Sequence, residues 1–465
     1  MTGQMLSRGR RSLVARGLAL AMGFVAIAPF TALSQPAETV TMRDVLLSGQ
    51  GFRLAAEAID IAGSSATRSS LEAAVRSGNP DAMIDRLGQL GASSVRFTNL
   101  RVERSQGGPR AFLGFGRLQL TGLSAGRIRQ AQGTDGQFGS GPSQPARFAS
   151  FNASELDAAF LVRLIGGAAP PSDAARPVLR SAVLERVEAV YGTGTRVSAE
   201  RATLSDLRLM PGARAGDFGL MGAVEISDIR LVTPPRTGQT LPNEIRIKAL
   251  VIGADRPSSD DVPTRYRARL DEVTVPLPAA DTTPSIRNIR ALGLDALVVS
   301  AALEGSWSPA ARELKLDRLG VDLPGLGAIT LAGLMSNVAP EVFTEVPSGA
   351  NARWNEAQIR TLSVTIRDDG LFERVVARDA RATSRSVADV RSTFSRQASG
   401  IVQRMTEGVP NRAVPDALMR FVSDPKVLTI AIAAKPGASL PLSALLATGG
   451  LASLSDRFEL TATTR

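Results

Sequence analysis

An α+β fold is the class this sequence predicts, with a large, mainly antiparallel sheet, curved or elongated, and flanking helices. Three observations lead there. Between about Val178 and Met335 the chain is a long series of strand-like runs closed by turn residues, with few helical segments. Helical spacing is confined to stretches before and after that series. Hydrophobic residues, at 44%, are enough for a large core although aromatics are only 4%.

The elements follow in order. Val40 to Leu47 and Phe52 to Ile61 alternate around Ser48-Gly49-Gln50-Gly51 and read as a hairpin. Ser69 and Glu72 form a capping box before Leu71 to Val75, and Asn79-Pro80 opens a second helix carrying Met83, Ile84, Leu87 and Leu90. From Ser94 to Gln130 the pattern returns to strands. Gln132 to Pro145, rich in Gly, Ser and Gln, reads as a loop or linker. Asn152 and Glu155 are expected to cap a helix holding Leu156, Phe160 and Leu164.

The strand series then comprises Val183 to Val190, Val197 to Leu209, Ala223 to Val232, Glu244 to Ile252, Tyr266 to Val275, Ile286 to Leu303 and Leu314 to Leu334. Several runs share a phrase of Leu, two residues, Leu, one residue, Leu, as in Leu204, Leu207 and Leu209, and in Leu316, Leu319, Val321 and Leu323. It is a degenerate β repeat without a solenoid period. After a strand over Ile359 to Ile366, Asp369 is expected to cap a helix with Leu371, Phe372, Val375 and Val376. Ser386 and Asp389 box a second helix, and Ala413 to Val422 forms a third. Val427 to Ala433 is a strand, Pro441 to Leu446 a short helix, and Phe458 to Ala462 a final strand. The expected divisions are therefore a signal segment at 1–34, an N-terminal α+β region at 35–170, a β-rich region at 171–350 and a C-terminal α+β region at 351–465.

The first 34 residues set the address. Arg8, Arg10, Arg11 and Arg16 precede an apolar stretch from Leu18 to Leu33, with Ala32 and Ser34 placed for cleavage before Gln35. That is the layout of a cleavable signal peptide, and it implies a periplasmic protein with no transmembrane span once the signal is removed. Arg10-Arg11-Ser12-Leu13-Val14 also matches a twin-arginine pattern loosely, so the general and twin-arginine routes both stay open.

Composition excludes whole classes of chemistry. The chain has no cysteine and no histidine, which removes disulfides, thiolate metal sites, cysteine nucleophiles and every triad that needs an imidazole. Its formal charge is +10; loss of four arginines with the signal leaves 50 basic residues against 44 acidic ones, or +6. Arginines are interleaved with Asp and Glu, and only Lys248, Lys315, Lys426 and Lys435 are lysines. This argues against nucleic acid as a partner.

The remaining motifs are weak. Ser423-Asp424-Pro425-Lys426 has the Ser-x-x-Lys spacing, but Pro425 interrupts the helical turn that would join the two side chains. Asp368-Asp369-Gly370 and Asp260-Asp261 pair carboxylates without the oxygen-rich loop of a Ca²⁺ site. Gly114-Phe115-Gly116 and Gly325-Leu326-Gly327 lack the third glycine and the following helix of a phosphate cradle. No catalytic, cofactor-binding or metal-ligating residue is assigned. Asp368, Asp369 and Glu373 are the clustered carboxylates available to a hydrolase acting on envelope glycans.

Leu303-Glu304-Gly305-Ser306-Trp307-Ser308, Gly325-Leu326-Gly327-Ala328-Ile329-Thr330-Leu331 and Leu362 to Leu371 resemble uncharacterised exported proteins of alphaproteobacteria. The strand-rich texture is also similar to that of AsmA-type envelope proteins, a resemblance that implies a role in outer-membrane assembly and phospholipid movement. The expectation is a non-enzymatic periplasmic envelope protein, needing no cofactor, that binds lipid or an envelope partner through its sheet. The alternatives are the carboxylate hydrolase and a purely structural or assembly protein.

Overall fold

The computed structural model describes residues 39–49, 52–70, 73, 91–104, 111–124, 126–140, 145–157, 176–191, 194–209, 220–235, 243–255, 262–279, 281, 283–344, 354–409, 411–438, 440–441 and 455–465. Two compact units divide the chain between Pro234 and Pro235. The fold is mostly antiparallel strand with a few helices, so it is largely β where an α+β class was expected.

Among the described residues the first unit is a meander of nine antiparallel strands. They are β1 (Val40–Gly49), β2 (Phe52–Ala62), β3 (Ala92–Arg104), β4 (Ala111–Ser124), β5 (Arg127–Ser140), β6 (Ala146–Asp157), β7 (Arg176–Val190), β8 (Arg196–Leu209) and β9 (Leu220–Thr233). Each pairs with the strand before it. The expected first hairpin is present as β1 and β2, with Val40 opposite Ile61.

These strands do not alternate simply. In β4 the buried apolar residues are Leu113, Phe115, Leu118, Leu120 and Leu123; in β6 they are Ala146, Phe148, Phe151, Ala153 and Leu156. Both follow steps of two, three, two and three. A regular strand has period 2, so each step of three needs a break that turns the chain over. Residues in the left-handed region supply many of these breaks. Asp44, Asn99, Asp135, Arg186 and Asp228 do so in the odd-numbered strands, and Gly122, Glu155 and Asp206 in β4, β6 and β8. The ladders skip at these points, for example between Thr98–Arg117 and Leu100–Phe115. A left-handed step costs an ordinary L-residue about 1–2 kcal/mol and is most tolerable for Gly, Asn and Asp, which hold most of these positions.

Two sequence expectations are corrected here. Gln132 to Pro145 is no linker, because most of it belongs to β5. Gly133 and Gly136 face the interior, where a Cβ on Gly136 would stand 1.9 Å from the Phe148 ring and one on Gly133 2.6 Å from Phe115. The rings of β4 and β6 lean over β5 into the space these glycines leave, and Phe115 and Phe148 meet edge-on at 5.5 Å. Asn152 and Glu155 cap no helix; they lie within β6, where the spacing of a capping box falls inside a strand. The helical pair expected between Ser69 and Gly91 and the residues from Ala158 to Ala175 fall outside or almost wholly outside the described residues.

The second unit holds β10 (Asn243–Asp255), β11 (Arg265–Pro276), β12 (Ala296–Ser308), β13 (Glu313–Leu323), β14 (Gly327–Ser336), β15 (Gln358–Asp368), β16 (Val427–Ala434), β17 (Leu440–Pro441) and β18 (Phe458–Thr464). Its helices are α1 (Pro284–Arg290), α2 (Glu341–Thr344), α3 (Leu371–Thr383), α4 (Val387–Thr406) and α5 (Ala413–Ser423). Strands β10 to β16 pair in sequence, β18 joins β16, and β17 touches the start of β15. The run expected as strand from Ile286 to Leu303 begins with α1, opened by Pro284 in its first turn. Leu314 to Leu334 is two strands joined at Gly325, whose φ of +73° suits a turn. Of the short helix expected at Pro441 to Leu446, only Pro441 is described, and it belongs to β17.

Exchanging Asp135 for valine is expected to lower stability by about 1–2 kcal/mol, because a β-branched side chain is strained at positive φ, whereas Asp135→Gly stays within a few tenths. Gly136→Ala is expected to cost about 1–3 kcal/mol by pushing against Phe148. Urea unfolding midpoints of the three variants check both statements.

Candidate functional site

The cluster of carboxylates weighed from the sequence is held by structural partners. Asp368 ends β15, and its two oxygens accept hydrogen bonds from the backbone N–H groups of Gly370 and Phe372 at 2.7 and 3.0 Å. It is therefore Asp368, and not the expected Asp369, that caps α3. Asp369 accepts from Arg367 Nε at 2.8 Å, and Glu373 from Arg391 Nη2 at 2.7 Å. The second expected box is present, with Ser386 Oγ accepting from the Asp389 N–H at 3.1 Å.

The other motifs resolve similarly. Ser423 Oγ donates to the Met419 carbonyl within α5, and Lys426 Nζ bonds Asp424 at 2.7 Å. Gly325-Leu326-Gly327 is the turn between β13 and β14, and the Leu326 carbonyl accepts from the N–H groups of Asp369 and Leu371. Gly114-Phe115-Gly116 lies inside β4. Asp260 and Asp261 lie outside the described residues. Among the described residues no group of three or more acidic side chains is arranged to hold a metal ion.

What the second unit does present is one open apolar sheet face. The register aligns Ile252, Ala268, Leu303, Leu319, Leu331, Val364, Ile430 and Ala462 in a single row across β10 to β16 and β18. Beside it, on the same face, run Leu250, Leu270, Ala301, Val321, Ile329, Ile366 and Leu428. The intervening positions face the other way and are mixed: the row of Thr330, Thr365, Thr429 and Thr463, with the Thr365 and Thr429 hydroxyls 3.0 Å apart, continues as Gly320, Ala302, Arg269 and Val251.

Cover over the apolar face is uneven. At β16 and β18, helix α5 sets Val414, Ala417, Leu418 and Phe421 against Leu428, Ile430, Ile432, Leu460 and Ala462. At the start of β11 and the end of β12, Tyr266, Trp307, Phe343 and Trp354 form an aromatic cluster, with Tyr266 and Phe343 stacked at 4.9 Å. Between those covers, Ile252, Leu303, Leu319, Val321 and Ile329 are 40–55% exposed. Large aliphatic side chains adjacent in register and open to solvent mark an interaction surface more often than isolated ones do.

Sequence reasoning found part of this face without recognising it. The phrase Leu316, Leu319, Val321 and Leu323 reads as a repeat in the sequence, and the ladder break between Leu316 and Leu319 is what gives it its step of three. Ile252 and Ile329 carried only the signal of alternation, which says that a strand has an apolar face and not whether that face is covered.

A family model described as an uncharacterized protein matches residues 320–465, which include β14 to β18 and α2 to α5. No curated protein matches the chain. Among the described residues no helix is long and apolar enough to cross a membrane.

Asp368→Ala is expected to destabilise the second unit by about 1 kcal/mol through loss of the α3 cap. Glu373→Gln is expected to change it by at most about 1 kcal/mol, because the Arg391 pair is solvent-exposed and screened. Thermal melts at low and high salt separate the two: the cap loss persists at both, and the ion-pair effect fades with salt.

Proposed function

We propose that this protein is a non-enzymatic component of the periplasmic cell envelope that binds lipid on the open apolar face of its C-terminal sheet. The observation that carries the reading is the exposed aliphatic surface of Leu303, Leu319, Val321 and Ile329, adjacent in register across β12 to β14, with Ile252 of β10 in the same row beyond the partly buried Ala268 of β11. Hydrocarbon is recognised by area and shape and needs no polar anchor; each buried methylene contributes about 0.8 kcal/mol. A chain without histidine or cysteine is suited to such a task. The signal-like first 34 residues support a periplasmic address, and the likeness in texture to AsmA-type proteins agrees with an envelope role. The structural partners of Asp368, Asp369 and Glu373 favour this reading over a carboxylate hydrolase.

Protein extracted from its native periplasm is expected to carry phospholipid detectable by mass spectrometry, and the Leu319→Asp, Ile329→Asp double variant to carry several-fold less. A clean wild-type protein that also yields no crosslinked envelope partner would remove the proposal.

A further inference from the structure

Resting on that lipid-binding reading, we infer that the ligand is a single acyl chain lying across the strands, along the row through Leu303 and Leu319, and that the length of the open row sets the chain length bound.

The shape of the open surface gives the direction. Its exposed side chains occupy two neighbouring rows between β10 and β14, with the partly buried Ala268 and Leu270 holding those rows in β11. Four inter-strand spacings of about 4.8 Å make this stripe about 19 Å long, while two rows along a strand span only about 7 Å. The result is a narrow strip running perpendicular to the strands. It is bounded along one side by the aromatic cluster around Trp307, along the other by the Leu323–Gly327 turn, and at the β16 end by α5. About 15 Å of hydrocarbon, the depth of one bilayer leaflet, fits within it.

The occupant follows from area and composition. With a fully exposed aliphatic side chain taken as about 100 Å², the five open residues present on the order of 250 Å² of apolar surface. A stable protein interface needs about 800 Å² per partner. All five are Leu, Ile or Val, without the Trp, Tyr or Arg anchors that dominate protein–protein binding energy. An acyl chain needs neither the area nor the anchors.

Titrating the mature chain with single-chain fatty acids of increasing length tests this, read through the fluorescence of Trp307 and Trp354 beside the stripe. Affinity is expected to rise about fourfold per added methylene for short chains and to level off once the chain outruns the stripe. Leu319→Asp is expected to weaken binding at least tenfold, with Leu319→Ser as the milder variant should the charge disturb folding. Leu46→Asp, at an exposed position in the first unit, should bind as wild type. If phospholipid still co-purifies but affinity ignores chain length, or the Leu319 and Leu46 variants behave alike, the row assignment falls and lipid binding stands. If no fatty acid of any length binds and no lipid co-purifies, both fall. A doubling of mass in solution that Leu319→Asp abolishes would assign the face to a second copy of the chain and overturn the inference.

Discussion

A strand that must keep one face apolar for more than about ten residues has to reconcile its own twist with that of its neighbours. In the first unit the chain does so with breaks, many of them at a residue in the left-handed region. Each lets two consecutive side chains point outward before the inward series resumes. Strands β4 to β6 depend on these breaks at both of their steps of three: with regular alternation after Phe115, Leu118 and Leu120 would point away from the core and Arg117 and Gln119 into it. The phenylalanine cluster of β4, β5 and β6 exists because Gly116–Asp135 and Ala149 fall opposite one another across three strands. The interior is thus set less by which residues are hydrophobic than by where the backbone is allowed to turn over.

The second unit uses the same device more sparingly. Glu272 is its left-handed residue within β11, and ladder irregularities appear in β11, β12 and β13. Its strands carry fewer large residues at fully buried positions, and its apolar face is divided between a helix, an aromatic cluster and solvent. The extended buried cluster of the first unit contrasts with this partly open face.

Much of the architecture was legible in the sequence. The β1–β2 hairpin, the Ser386 capping box, α3 to α5 and most strands of the second half follow from alternation, cap chemistry and turn residues. The misreadings have local causes. A capping-box spacing can fall inside a strand, as at Asn152 and Glu155, and a glycine-rich strand whose neighbours supply the missing side chains looks like a linker, as at Gln132 to Ser140. The phrase Leu204, Leu207, Leu209 was the visible trace of the break at Asp206. For the candidate site, the apolar rows were legible as patterns; their exposure was not, because cover is a property of what packs above a strand.

Neighbour-to-neighbour pairing within each unit also bears on how the chain acquires its structure. Where successive strands lie close in sequence, as β3 and β4, β4 and β5, or β12 and β13 do, each addition closes a short loop at small entropic cost, so those stretches of sheet can grow in the order in which their strands arrive. Every partly grown sheet then presents the edge of its latest strand to whatever else is nearby, and flat edges invite wrong partners. A strand bent at a left-handed residue matches only a neighbour whose own irregularity falls at the same point. The breaks therefore act as a key that the correct next strand fits and a stray or slipped one does not.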